Sequence, residues 1–174
     1  RAGRTDFGVP RHAGRGGADA RAAATSPAGS TAARFLALWG HAVTIVTRPE
    51  GAGVPLAESL TPSCGKFFDL LGIRDAIDGA GFVRATGNTV WWGAGEPRVE
   101  VSADGERGWQ ATSTALERVM LAEAGRAGAR VERHVLTPEE AAARPARFRL
   151  DCTGRAGVLA RARAGRRMEE GHRT

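Results

Sequence analysis

Residues 24–30, Ala24-Thr25-Ser26-Pro27-Ala28-Gly29-Ser30, combine small side chains with the start of a helix. A turn of this kind leaves backbone N–H groups at the positive end of a helix dipole, where a pyrophosphate is stabilised. Of the glycine spacing G-x-G-x-x-G only the third glycine is present, as Gly29, while Ala24 and Ser26 hold the first two places. An ordinary capped helix accounts for that pattern nearly as well. Thr47 stands where a dinucleotide fold places Asp or Glu on the ribose hydroxyls, and one hydroxyl cannot grip both. Glu50 is the nearest carboxylate and reads as a solvated loop charge. Glu58-Ser59 is a polar pair that could serve a site or cap a helix.

Other chemistries lack their residues. His12, His41, His134 and His172 pair with no His, Cys or carboxylate at metal-ligand spacing, so no metal site is expected. Cys64 and Cys152 form no C-x-x-C pair and are expected as reduced thiols. No G-x-S-x-G elbow is present, and Gly65-Lys66 lacks the flanks of a P-loop. Trp91-Trp92 could stack on a flat ligand, but strand alternation predicts that one of the two is core; Phe67-Phe68 also reads as core.

The elements that must position these residues follow from periodicity and punctuation. Ser26-Pro27 opens a helix over 28–39 that Gly40 stops, and Ala42–Thr47 is short, β-branched and bounded by Gly40 and Pro49, a buried strand. Residues 48–60 read as loop. Thr61-Pro62 starts a helix ended by Gly72, with a further helical turn over 73–77. Segments 83–92 and 98–102 are predicted to form a small antiparallel sheet. Thr114-Ala115-Leu116-Glu117 is a capping-box sequence opening a helix, and 131–136 and 148–152 are strands around a Pro- and Glu-rich link at 137–147.

The chain has 174 residues with a net charge of +6, and that charge sits at its ends: residues 24–154 hold 14 basic and 15 acidic side chains. A near-neutral body without interleaved aromatic rings argues against nucleic acid as a partner. No apolar run reaches the roughly 18 residues of a membrane span, so no membrane partner and a cytoplasmic location are expected. Residues 1–23 are expected as a disordered Arg/Gly/Ala-rich arm, 24–160 as the folded domain, and 161–174 as a loose basic tail.

Four motifs in order then carry a family resemblance. Pro27-Ala28-Gly29-Ser30-Thr31-Ala32-Ala33 resembles the end of a G-G-G-P-A-G-S-x-A-A dinucleotide loop. Ala57-Glu58-Ser59-Leu60-Thr61-Pro62, running into Phe67-Phe68-Asp69-Leu70-Leu71-Gly72-Ile73, resembles a G-E-S-L-x-P stretch with its F-x-x-L-G-I helix. Trp109-Gln110 with the helix to Ala129 resembles a W-Q-V-x-R segment, and Asp151-Cys152-Thr153-Gly154-Arg155 resembles a D-A-[ST]-G-R turn. Over 24–174 the chain thus resembles the first third to half of an FAD-dependent oxidoreductase of the glutathione-reductase-like superfamily. The branch is the one holding class A flavin monooxygenases, geranylgeranyl reductases and tryptophan halogenases.

The resemblance implies an α/β fold, a partial Rossmann-like three-layer FAD-binding domain with a small antiparallel β insertion. Residues 1–23 offer no hydrophobic strand, so the first strand is expected to be missing and the exposed sheet edge to drive self-association. It implies FAD as cofactor, NAD(P)H as reductant, a small organic substrate and oxygen transfer. The cofactor-binding residues so implied are Ser26, Ala28, Gly29, Ser30, Thr47, Arg48, Glu58, Ser59 and Gln110. Halogenases place a lysine shortly after the segment matching Phe82; here Val83-Arg84-Ala85-Thr86-Gly87 has none, which favours hydroxylation over halogenation. Ser113 stands where the family usually has Arg, and the family's later G-D motif and substrate domain have no match. The chain alone is therefore expected to be inactive, and the alternatives are a flavin-dependent halogenase-like protein or a truncated remnant without flavin binding or catalysis.

Overall fold

A computed structural model describes residues 20–24, 26–50, 54–93, 95–102 and 105–162. Of the arm expected over 1–23 and the tail expected over 161–174, residues 1–19 and 163–174 lie outside the described residues; residues 20–23 are instead part of a strand and 161–162 end a helix. The chain divides into two compact units, one made of residues 1–49 and 124–174, the other of residues 50–123.

The first unit is built on a parallel sheet. Its strands are β1 (Ala20–Ala24), β2 (Val43–Thr47), β8 (Arg130–Arg133) and β9 (Phe148–Cys152), in the order β8-β2-β1-β9. Strand β1 pairs with β2 from Ala20↔Val43 to Ala23↔Val46 and with β9 from Ala20↔Phe148 to Ala24↔Cys152. The expectation of a missing first strand is thereby corrected: the strand is present and central. Its sequence, four alanines and one arginine, carries no β-branched signal, but pairing on both edges satisfies its backbone groups, and context outweighs propensity in a sheet. The predicted self-association rested on that open edge, which β1 fills.

Helix α1 (Pro27–Leu38) begins at Ser26, whose backbone is extended, with Pro27 in the first turn; Gly40, at φ 86°, makes the stop. The buried face of α1 is Gly29, Ser30 and Ala33, small residues that admit close approach to the sheet. All five residues of β2 are buried, as a strand covered on both faces requires. The Pro- and Glu-rich link at 137–147 holds a helix, α5 (Pro138–Ala143). Thr137 Oγ1 accepts from Glu140 N while the Glu140 carboxylate accepts from Thr137 N, a capping box with proline in the first turn. A short helix α6 (Val158–Ala162) follows β9.

The second unit pairs β3 (Ala57–Leu60), β7 (Gly108–Thr112) and β4 (Val83–Ala85) in an antiparallel sheet of order β3-β7-β4. The hairpin β5 (Gly87–Val90) with β6 (Arg98–Val101) stands apart from it. Strand 83–92 is therefore two short strands in different sheets. Trp91 and Trp92, one of which was expected in the core, are both exposed, at 64% and 82%. Phe68 is core but Phe67 is exposed. Helix α2 (Cys64–Leu71) ends at Gly72 in the left-handed conformation, and α3 (Arg74–Asp78) follows. Helix α4 (Ser113–Arg126) is entered from β7, with Thr112 Oγ1 accepting from Ala115 N at 3.2 Å, so Thr112 caps it rather than Thr114.

Candidate functional site

The four parallel strands of the first unit end on the same side, at Ala24, Thr47, Arg133 and Cys152. From β1 the chain crosses through α1 to β2 on one flank, while β9 lies on the other, so strand order reverses between β1 and β9. In open α/β sheets that crevice, outside the carboxyl ends of the strands, is where ligands bind.

The turn after β1 closes on the end of β9. Ser26 Oγ donates to the Cys152 carbonyl at 3.1 Å, and the Ser26 carbonyl accepts from Gly29 N at 3.1 Å and Ser30 N at 3.4 Å. Ser26 thus makes no side-chain cap, leaving the first turn of α1 without a hydroxyl across its N–H groups. Gly29 and Ser30 are buried and Ala28 is exposed. Ser30 Oγ is buried with no hydrogen-bond partner, an orphaned polar atom in the helix start where a pyrophosphate would sit.

After β9, Asp151 organises the D-x-T turn. Its Oδ1 accepts from Thr153 N at 3.1 Å and Thr153 Oγ1 at 2.5 Å, and its Oδ2 accepts from Leu159 N at 2.8 Å and Ala160 N at 3.2 Å. Burial opposes the charge, but the hydrogen bonds from Thr153 and the two helical N–H groups prevail and hold the carboxyl below its ordinary pKa. Burial, with the Asp151 charge, pushes the neighbouring Cys152 thiol up.

Thr47 and Arg48 lie at the end of β2 on an open cleft of about 190 Å³, whose other polar residues are His134 and Thr153. Arg144 NH2 lies 2.8 Å from His134 Nε2 and its NH1 lies 2.6 Å from Glu132 Oε2. A guanidinium only donates, so Nε2 is the acceptor and Nδ1 carries the ring hydrogen. Sequence reasoning passed over His134 and Arg144; a lone His without ligand spacing gave no signal, since the pairing is made across the α5 turn.

The other three predicted residues belong to the second unit. Gln110 Nε2 donates to Ser59 Oγ at 2.8 Å, as their facing register requires. Glu58 pairs instead with Ala111, and alternation puts it on the opposite face of the sheet from Ser59. Ser113, in the place of the family's Arg, exchanges bonds with Leu56: Ser113 N donates to Leu56 O at 2.7 Å and Leu56 N donates to Ser113 Oγ at 3.0 Å. The unit's densest polar cluster was not foreseen. Asp78 accepts from Arg74 Nε at 2.8 Å, from the indole N–H of buried Trp109 at 2.9 Å, and from Arg84 NH1. The Arg74 and Arg84 guanidiniums lie over the Trp109 ring at 4.9 and 4.5 Å.

Tested against a flavin dinucleotide, the β1–α1 turn fits, with small residues, a helix N-terminus and the orphaned Ser30 hydroxyl. The end of β2 does not supply the usual carboxylate for the ribose. Among the described residues no group of three His, Cys, Asp or Glu could hold a metal ion. No described helix is long and apolar enough to cross a membrane.

Known proteins share this fold and part of this sequence. The chain is 28% identical to the myxobacterial chondrochloren halogenase, a variant of FAD-dependent halogenases, with a TM-score of 0.60 over 68% of this chain and 29% of that one. Over these stretches the chain is similar to FAD-dependent halogenases. A flavoprotein/dehydrogenase from Cytophaga hutchinsonii is 27% identical, with a TM-score of 0.59 over 68% of this chain and 31% of that one. Tryptophan 2-halogenase of Chondromyces crocatus is 43% identical over 67 residues, 38% of this chain. The chain spans 13% of the length of that curated protein and under a third of these solved chains. No protein-family model matches it.

Proposed function

We propose that this chain is the FAD-binding portion of a flavin-dependent monooxygenase that hydroxylates an organic substrate with NAD(P)H and O2. The observation that carries the reading is the β1–α1 turn, fastened by Ser26 to Cys152 where the strand order reverses, with Gly29 letting α1 close on the sheet. FAD, when bound, supplies the redox chemistry and the activation of oxygen. The chain's own groups bind and orient it: the N–H of Ala28 and the Ser30 hydroxyl toward the pyrophosphate, Thr47 and Arg48 beside the adenosine. In the second unit, taken by itself, Ser59 and Gln110 form a polar pair that could take a polar group of the cofactor.

Halogenation is the second reading, favoured by the identity to the tryptophan and chondrochloren halogenases. Against it, the segment after Phe82 has no lysine, and its one cation is committed elsewhere: Arg84 binds Asp78 and donates to the Arg107 carbonyl at 3.0 Å.

FAD titrated into the purified chain should lose fluorescence along a saturable curve at micromolar concentration. A folded sample that leaves FAD fluorescence unchanged at hundreds of micromolar would remove the flavin function and leave only a shared ancestry.

A further inference from the structure

The second unit, taken by itself, carries a cleft of about 450 Å³ lined by the start of α2, by β4 and by the segment that leads into β7. Its charged lining is Lys66, Arg74, Arg84 and Arg107 against Asp69 and Glu106, four cations to two carboxylates. All six lie within this unit, and neither Ser59 nor Gln110 is among the lining residues.

Two of the cations are fixed in place before any ligand arrives. Arg74 and Arg84 both donate to Asp78, and both guanidiniums lie over the Trp109 ring. Arg84 also donates to the Arg107 carbonyl at 3.0 Å, which ties β4 to the segment before β7. Arg74 lies against the first turn of α2, where a Cβ on Gly65 would collide with its guanidinium. Side chains already held in this way lose little rotamer freedom on binding.

The charge gathered here is not balanced by the carboxylates present. Asp78 answers two guanidiniums with one carboxylate, and Asp69 reaches Arg74 only at 3.5 Å. Lys66 and Arg107, both exposed, have no carboxylate partner among the described residues. Like charges gathered in one cleft without a matching counter-charge favour an anion among them. A guanidinium offers a planar fork of donors and an ammonium a compact charge, a combination that suits phosphate oxygens. Asp69 and Glu106 in the same lining repel an extended polyanion, so the match is to a single phosphate on a small molecule, with Glu106 able to accept from a hydroxyl of that molecule.

We propose that this cleft binds the phosphate group of a small phosphorylated molecule, with Lys66, Arg74, Arg84 and Arg107 as its donors. The site belongs to the second unit alone and stands independently of the flavin reading.

Calorimetric titration of the full chain with glycerol 3-phosphate, at fixed ionic strength in chloride, tests it, and glycerate supplies a carboxylate in place of the phosphate. Glycerol 3-phosphate should bind with a dissociation constant below about 1 mM. It should bind at least about tenfold more tightly than glycerate, which brings less charge and fewer acceptor oxygens. The double variant Lys66→Ala with Arg107→Ala changes exposed positions and leaves Arg74 and Arg84 on Asp78. It should lose at least about tenfold of that affinity with its unfolding midpoint unchanged, while Lys66→Arg with Arg107→Lys, which keeps both charges, should retain the affinity. Affinity that survives in the alanine variant puts the phosphate elsewhere, on the turn after β1 or on general surface charge, and overturns the proposal. Equal binding of glycerate, or no binding of glycerol 3-phosphate by the folded chain, overturns it as well.

Discussion

Ser26 and Cys152, 126 residues apart in the chain, are joined by a hydrogen bond of 3.1 Å from the serine hydroxyl to the cysteine carbonyl. That bond fastens the turn after β1 to the end of β9 at the point where strand order reverses, so the first helix start and the last strand of the sheet are set by one contact. Ser26→Ala should therefore cost about 1 kcal/mol of stability in urea unfolding and weaken FAD binding as well. A variant that loses neither would show that the turn is held by other contacts.

Ser30 presents the opposite balance. Its hydroxyl is buried and unpartnered in a helix, a position where alanine has no polar atom to desolvate and a higher helix propensity. Ser30→Ala should stabilise the ligand-free chain by up to about 1 kcal/mol and lose affinity for FAD, a trade of stability for function. Thermal unfolding and FAD titration of the same variant check both halves; stability gained with affinity unchanged would take Ser30 out of the cofactor site.

Asp151 makes the first unit sensitive to acid. Its carboxyl titrates below its ordinary value in the folded chain, so folding gains from its ionised form above the unfolded value and loses that gain as pH falls through the folded one. Stability should drop below about pH 4, and Asp151→Asn should remove that part of the drop while lowering stability at neutral pH. An unchanged acid profile in the variant would assign the drop to other carboxylates.

Asp78 plays the corresponding part in the second unit. Burial opposes its charge, but hydrogen bonds from Arg74, Trp109 and Arg84 prevail and lower its pKa. Asp78→Ala strands the buried Trp109 indole N–H beside two guanidiniums and should cost about 1–3 kcal/mol. Tryptophan fluorescence during denaturant unfolding reads the loss, and a midpoint within error of wild type would contradict the network's role.

The legible parts of this fold were those whose signal is local. Ser26-Pro27 with Gly40 marked α1, and β-branched Val43–Thr47 marked β2, because caps and strand burial act over a few residues. Strand β1 was missed because its alanines carry no such signal; it is a strand by virtue of β2 and β9 on either side. Helix α5 was missed although its capping box, Thr137-Pro138-Glu139-Glu140, is plain in the sequence; the abundance of Pro and Glu marked the segment only as a link between strands. Within the site, motif order brought Ser26, Gly29, Ser59 and Gln110 into view. The pairing of Ser59 with Gln110 and the turning away of Glu58 depend on register, which a single strand's sequence does not reveal. His134 and Arg144 met only once β8 and α5 were placed.

The most direct test of a working flavin site is the unfolding temperature of the chain with and without FAD. A ligand that binds only the folded state stabilises it by about 2.7 kcal/mol at a hundred times its dissociation constant, so the midpoint should climb steadily as FAD rises through the micromolar range. A midpoint that stays fixed at saturating FAD, with the unfolding transition itself intact, would contradict the account.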